Sequence, residues 1–148
     1  MRFEVSERIE LPPERVFAAA ADFANAPARI SGIVRVEMLS EGPVGIGTRF
    51  RETRRMFGKE AVEEMTVIAF EPGRSYVLGA ENHGCRYRSE IRVEPDGQGS
   101  RITMSFAGEP LTFFAKVMGF LMKPMMKSLA KTCGKDLSDL KRSLLAEG

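Results

Sequence analysis

A single histidine, His83, and two cysteines, Cys85 and Cys133, are all that this 148-residue chain offers of the side chains that most often hold metals or act as nucleophiles. The cysteines lie far apart and lack metal-ligand spacing, which excludes a disulfide framework and a cysteine zinc site. Concentrated basic blocks are also missing. The 22 lysines and arginines are scattered among 20 acidic residues, for a net charge of +2, so nucleic acid is not an expected partner. The opening stretch "MRFEVSERIELPPERVF" alternates charged and apolar residues and has no continuous apolar segment of signal-peptide type. No run reaches the twenty or so predominantly apolar residues of a membrane span; the strongest candidate, "FFAKVMGFLMKPMMKS", carries three lysines and a proline. These absences lead us to expect a cytoplasmic protein without a transmembrane segment, metal or dissociable cofactor.

What is present suits one domain. At 148 residues and 43% hydrophobic, residues 1–148 are long enough to bury one core. Residues 2–10 place Phe3, Val5 and Ile9 on one side of an alternating strand. "PERVFAAAADF" then starts a helix at a proline, and "NAPARISG" reads as a second short helix closed by Gly32. Six further strand patterns follow: "VRVEML", "TRFRETRRM", "EAVEEMTVIAF", "SYVLGA", "CRYRSEIRVE" and "RITMSFAG". They are separated by turn signals such as "EPGR", "ENHG" and "PDGQG". From Leu111 to Leu145 the spacing is helical, with Pro124 as the expected kink.

A two-residue turn at Phe57 and Gly58 sets a register with Arg51 opposite Glu64, Arg55 opposite Glu60 and Phe50 opposite Met65. One face of the sheet is therefore charged and the other apolar, and the long C-terminal helix is the main element available to cover the apolar face. On a wheel of about 100° per residue, Phe114, Val117, Met118, Leu121 and Met125 form its expected core stripe, opposite Lys116, Lys123 and Lys127. Phe113, Phe120, Met122 and Met126 widen the apolar arc beyond what a surface helix usually shows. Past Pro124, Leu129, Cys133, Leu137, Leu140 and Leu144 drift to another face, as a kink or a change of partner requires.

The order of these elements, with "IELPPERVFAAAADF", "VRVEMLSEGPVGIGTRF" and "VIAFEPGRSYVL", resembles the polyketide cyclase/dehydrase and START-like lipid-transfer superfamily, whose plant members are birch-pollen-allergen-like. The resemblance spans nearly the whole chain. It implies an α+β helix-grip fold: a seven-stranded curved antiparallel sheet wraps a long C-terminal helix, with two short helices between strands one and two. It also implies a cavity for an apolar or amphipathic small molecule. One departure stands out, since Ile30 occupies a place where many relatives carry tryptophan, which alters the expected cavity entrance. The family has no single catalytic motif, and fold alone does not choose among its activities.

The expected ligand lining is therefore Phe50, Met65, Tyr76, Leu78, Tyr87, Met104 and Phe106 from the sheet, and Phe114, Met118, Leu121 and Met125 from the helix. The expected function is binding, extending to transport, of a small hydrophobic or amphipathic molecule. Two alternatives stand beside it: a cyclase or dehydratase acting in the same cavity, and an interaction module using the apolar helix surface, with room for a homodimer.

The catalytic candidates are few. His83 and Cys85 share a side of a strand as a nucleophile pair would, although "ENHG" is a turn sequence that places His83 at a solvated tip. Glu52 and Glu63 face each other beside Arg54, which would displace their pKa values. The competing expectation is that this end of the hairpin runs past the covering helix into water, and the cost of burying unpaired charge favours it. Tyr76 and Tyr87 sit on inward faces, where a phenol can orient a ligand or simply complete a core.

Overall fold

The structure is a computed structural model that describes residues 2–56, 58–82, 84–121 and 123–147. The N-terminal alternation becomes strand β1 (Arg2–Ile9), and Pro13 opens helix α1 (Pro13–Ala20), which buries Val16 and Phe17. A proline there is already preset in φ and gives up an N–H that has no partner in a first turn. A 3-10 turn over Phe23–Asn25 leads into the four-residue helix α2 (Ala26–Arg29), which ends at Ile30, before Gly32. The remaining strands are β2 (Ile33–Met38), β3 (Arg49–Met56), β4 (Lys59–Glu71), β5 (Ser75–Asn82), β6 (Cys85–Asp96) and β7 (Gly99–Pro110).

They form one seven-stranded antiparallel sheet in the order β1-β7-β6-β5-β4-β3-β2, so the helix-grip architecture expected from the sequence is the observed one. From β2 to β7 each hairpin lays a strand beside its predecessor, whereas β1 pairs with β7 at the far edge from β2. Gly58 and Gly97 supply the positive φ that two of the hairpin turns require, at 77° and 62°. The β3–β4 register pairs Phe50 with Met65, Arg51 with Glu64, Glu52 with Glu63 and Arg55 with Glu60. On the outer face Glu64 accepts from Arg49 and lies 4.0 Å from Arg51, while Arg55 approaches Glu60 at 3.8 Å.

The C-terminal segment departs from expectation. It is two helices, α3 (Phe113–Leu121) and α4 (Met125–Glu147), not one kinked helix. Pro124 has no N–H to donate and its ring crowds the carbonyl one turn back, so the chain breaks into a turn in which Met126 N donates to Lys123 O. Only α4 occupies the grip. Its Leu137, Leu140 and Leu144 join Ile9, Phe50, Val93 and Ile102 in the core, and Cys133 is buried one turn earlier.

The expected core stripe of Phe114, Val117, Met118, Leu121 and Met125 is therefore corrected: all five are exposed. One concave sheet has room for one apolar helix stripe, and the leucines beyond Pro124 take it. Helix α3 touches the body through its small residue Ala115, 3% exposed. Thr112 Oγ1 accepts from Ala115 N at 3.0 Å as an N-cap, and Leu111 N donates to Gly84 O at 2.7 Å.

Candidate functional site

The inner face of the sheet, α4 and the α1–α2 segment enclose a cavity of about 100 Å³. Its sheet walls come from Val36, Phe50, Tyr76, Leu78, Ile91 and Met104, its roof from Ala20, Phe23, Ala26 and Ile30, and its α4 side from Leu137 and Leu140. Period-2 alternation turns the wall side chains inward, which is why Tyr76 and Leu78, or Ile102 and Met104, appear together. Phe23 stacks on Phe50 at 4.4 Å between centroids and meets the Tyr76 ring edge-on at 5.2 Å. Tyr76 donates its hydroxyl to Ala20 O at 3.0 Å. It is a satisfied core tyrosine, and burial, then Glu52, pushes its pKa well up.

One patch of this wall is ionic. Arg54 holds Asp136 in a two-pronged bond, 3.1 Å to Oδ1 and 2.8 Å to Oδ2, and donates from Nε to Glu52 Oε1 at 3.1 Å. The side chains of Glu52, Arg54 and Asp136 are 15%, 17% and 12% exposed, so this end of the hairpin does not run into water. That expectation missed Asp136, which reaches the cluster from α4 and neutralises the arginine. The geometry is a guanidinium fork against a planar carboxylate, the strongest ion-pair arrangement available to side chains. Gly32 makes room for it, since a Cβ there would stand 3.1 Å from an Arg54 nitrogen.

Two carboxylates and one guanidinium carry a net negative charge into an apolar wall. Burial pushes the Glu52 carboxyl up despite Arg54, with Asp136 and Glu63 adding in the same direction. Burial also raises Asp136, against its bonds to Arg54. Arg54 itself is held more firmly charged, because its bonds to the two carboxylates outweigh its own burial. Among the described residues only one Glu52 oxygen has a hydrogen-bond partner. The Cys133 thiol is pushed up to about 11, by burial first and by Asp136 second, which leaves it a protonated core thiol rather than a nucleophile.

A second cluster fastens the roof. Ser31 donates to Asp139 Oδ2 from N and Oγ, at 3.1 and 2.8 Å, and Lys135 donates to both Ser31 and Asp139. Burial raises the Asp139 carboxyl, but the bonds from Ser31 and Lys135 outweigh it and hold it below its ordinary range. Arg29 ties α2 to the end of α4 through Ser143 at 3.1 Å and Glu147 at 3.0 Å. None of the residues of α2 is buried, so these polar ties are its main attachment.

Of the lining expected from the sequence, Phe50, Tyr76, Leu78 and Met104 border the cavity. Met65 packs against the core beside it. Phe106 and Tyr87 lie farther along the inner face, in a row of rings with Phe3: Phe3 to Phe106 is 5.1 Å and Phe106 to Tyr87 is 5.7 Å. The Tyr87 hydroxyl is pushed up to about 12, by burial and then by the Cys85 thiol. Phe114, Met118, Leu121 and Met125, exposed on α3 and at the start of α4, stand outside the cavity. Glu63 faces Glu52 across the hairpin but is engaged by Asn82 Nδ2 at 2.8 Å. His83 and Met122 lie outside the described residues. Asp136, Arg29 and Ile30 are wall residues that the lining expectation did not include; the inward-facing Arg54 among carboxylates was the one signal that a partner had to arrive from elsewhere.

Among the described residues there is no cluster of three histidine, cysteine or carboxylate side chains able to hold a metal ion, and no helix long and apolar enough to cross a membrane. A family model described as polyketide cyclase / dehydrase and lipid transport matches residues 1–144. Among solved structures, the protein TTHA0849 of Thermus thermophilus is 20% identical with a TM-score of 0.79, covering 100% of this chain and 99% of its own. Ara h 8.0201 is 18% identical with a TM-score of 0.73, over 99% and 98%. The di-domain ARO/CYC StfQ, from the steffimycin biosynthetic pathway, is 14% identical with a TM-score of 0.77, over 95% of this chain and 49% of its own. At these identities the likeness establishes the fold alone. Among curated protein sequences none matches.

Proposed function

This chain belongs to the polyketide cyclase / dehydrase and lipid transport family, and we propose from that premise that it binds a small hydrophobic or amphipathic molecule in the cavity between its sheet and α4. The observation that carries this reading is a cavity with mostly apolar walls and a few charged side chains, the arrangement by which a site gains affinity from burial and orientation from a few polar groups. At about 100 Å³ it is smaller than the 300 Å³ or more typical of ligand sites. A larger ligand must therefore displace part of the wall. The roof from Ala26 to Ile30 is the part that yields, because polar ties rather than buried side chains hold α2 in place. A thermal-shift and native mass-spectrometry screen against fatty acids, quinones, aromatic polyketides and sterols tests the proposal. A one-to-one complex with one class and a raised Tm supports it; no complex with any of them overturns it.

A second reading, catalysis of cyclase or dehydratase type, has one specific observation in its favour. Glu52 stands in the cavity wall with its pKa raised and one oxygen without a partner among the described residues, as a group that gives and takes a proton should. Tyr87 and Glu63 do not border that cavity. Once a bound polyketide-like compound is identified, turnover that disappears in Glu52→Gln while binding persists supports this reading. Binding without any chemical change excludes it.

A further inference from the structure

Helix α3 is held by the small residue Ala115 and turns its largest ones outward. Phe113, Phe114 and Phe120 are 81%, 72% and 71% exposed, with Val117 and Leu121 beside them. At about 100° per residue these five fall within one arc of roughly 120°, so the exposed apolar surface is continuous rather than scattered. A patch of this kind on a water-soluble surface marks a site of contact. Along this stretch of the chain the charge is of one sign. From Pro110 to Lys135 the chain carries Lys116, Lys123, Lys127, Lys131 and Lys135 and no aspartate or glutamate. The Lys123 ammonium sits 5.5 Å over the Phe120 ring, at the margin between the apolar and basic surfaces.

We infer that α3 and the adjoining start of α4 form a docking surface for an anionic phospholipid bilayer, with the helix lying in the interface plane. Phenylalanine, leucine and valine side chains enter the headgroup–acyl boundary, and the lysines meet the lipid phosphates, the division of labour of an interfacial amphipathic helix. Nine residues span about 13 Å, far short of a bilayer core, so α3 lies on the membrane and does not cross it. A second copy of the chain fits the surface less well, because a two-fold contact through α3 brings like-charged lysines together without a carboxylate on this segment to balance them.

Co-sedimentation with vesicles tests the inference, using phosphatidylcholine alone and equal parts phosphatidylcholine and phosphatidylglycerol. The wild-type chain should sediment with the mixed vesicles, weakly or not at all with phosphatidylcholine, and less as salt rises. Each Lys→Gln change at Lys116, Lys123 and Lys127 should lower partitioning about fivefold, on the order of a hundredfold together. Phe114→Asp with Phe120→Asp should abolish it, and because both side chains are exposed, the far-UV circular dichroism should not change. The lysine variants provide the independent check if the phenylalanine pair alters the fold. Absence of sedimentation with the mixed vesicles, or sedimentation indifferent to the lysines, overturns the inference. So does a wild-type oligomer in solution that Phe114→Asp disperses, which would assign the patch to a second copy.

Discussion

Asp136→Asn removes the prong that holds Arg54 from α4 while keeping side-chain volume. The substitution removes the negative charge and one of two bonds, of 3.1 and 2.8 Å, to a guanidinium that is largely buried, since the remaining amide oxygen still accepts. Severing a buried pair outright costs about 3 to 5 kcal/mol when a charge is left uncompensated. Here Glu52 still balances Arg54 from 3.1 Å, and Asp136 is itself raised by burial, so part of the loss is returned. A cost of about 2 kcal/mol follows. With an unfolding entropy of about 0.3 kcal/mol per kelvin for a chain of this length, that is a fall in Tm of roughly 6 °C. Arg54→Met is harsher, because it leaves Glu52 and Asp136 facing each other in an apolar wall, and it should cost about 3 to 5 kcal/mol near neutral pH. Its penalty should shrink at lower pH. Both carboxyls are raised in the folded state, so the fold is favoured with them protonated, and that stabilisation is lost as pH rises through their folded pKa values. The chain has no tryptophan, so urea unfolding is followed by circular dichroism at pH 5 and pH 7.5. Costs below about 0.5 kcal/mol for both variants, the range of a surface pair, would refute the reading of a buried cluster.

Other outcomes follow from the same geometry. Glu52→Gln removes a group whose folded pKa is raised above its ordinary 4.5, so relative to wild type the variant should gain stability as pH climbs from 4.5 through the raised value. A wild-type advantage that grows over that window would contradict the assignment. Asp139→Asn should cost about 1 to 3 kcal/mol above pH 5, since it weakens the anionic acceptor of the Ser31 and Lys135 bonds. Because the Asp139 pKa is lowered, that cost is lost as pH falls below 3.8 through the folded value. Hydrogen exchange should report it first in residues 26–33, which this carboxylate ties to α4; uniform loss of protection across the sheet would argue against a local clasp.

The sheet was legible because alternation and glycine turns leave little freedom: once Phe57 and Gly58 are taken as a two-residue turn, Phe50 must meet Met65 and Glu52 must meet Glu63. The helix assignment was less determinate. A wheel shows that Phe114, Val117, Met118 and Leu121 share a stripe, and that Cys133, Leu137, Leu140 and Leu144 share another. It does not show which of two competing stripes a single concave sheet will accept. The outcome depends on the break at Pro124 and on the path of α4, both non-local. Glu52 and Arg54 could be placed on the inner face by register, yet their fate turned on Asp136, which arrives from α4, far along the chain. Charge cost alone pointed to water, and the compensating partner reversed it. The polar clasp of Ser31, Asp139 and Lys135 likewise joins residues more than a hundred positions apart, beyond the reach of any local pattern.

The central claim is that the cavity between the sheet and α4 takes up a ligand, and filling it tests that claim most directly. Leu78 borders the cavity from a central strand, and Leu78→Trp should occupy much of its volume with the fold retained by circular dichroism. Native mass spectrometry of both proteins against the same hydrophobic compounds is the measurement. A one-to-one complex in the wild type that vanishes in Leu78→Trp is the predicted result; a complex of equal abundance in both places the ligand elsewhere and contradicts the account.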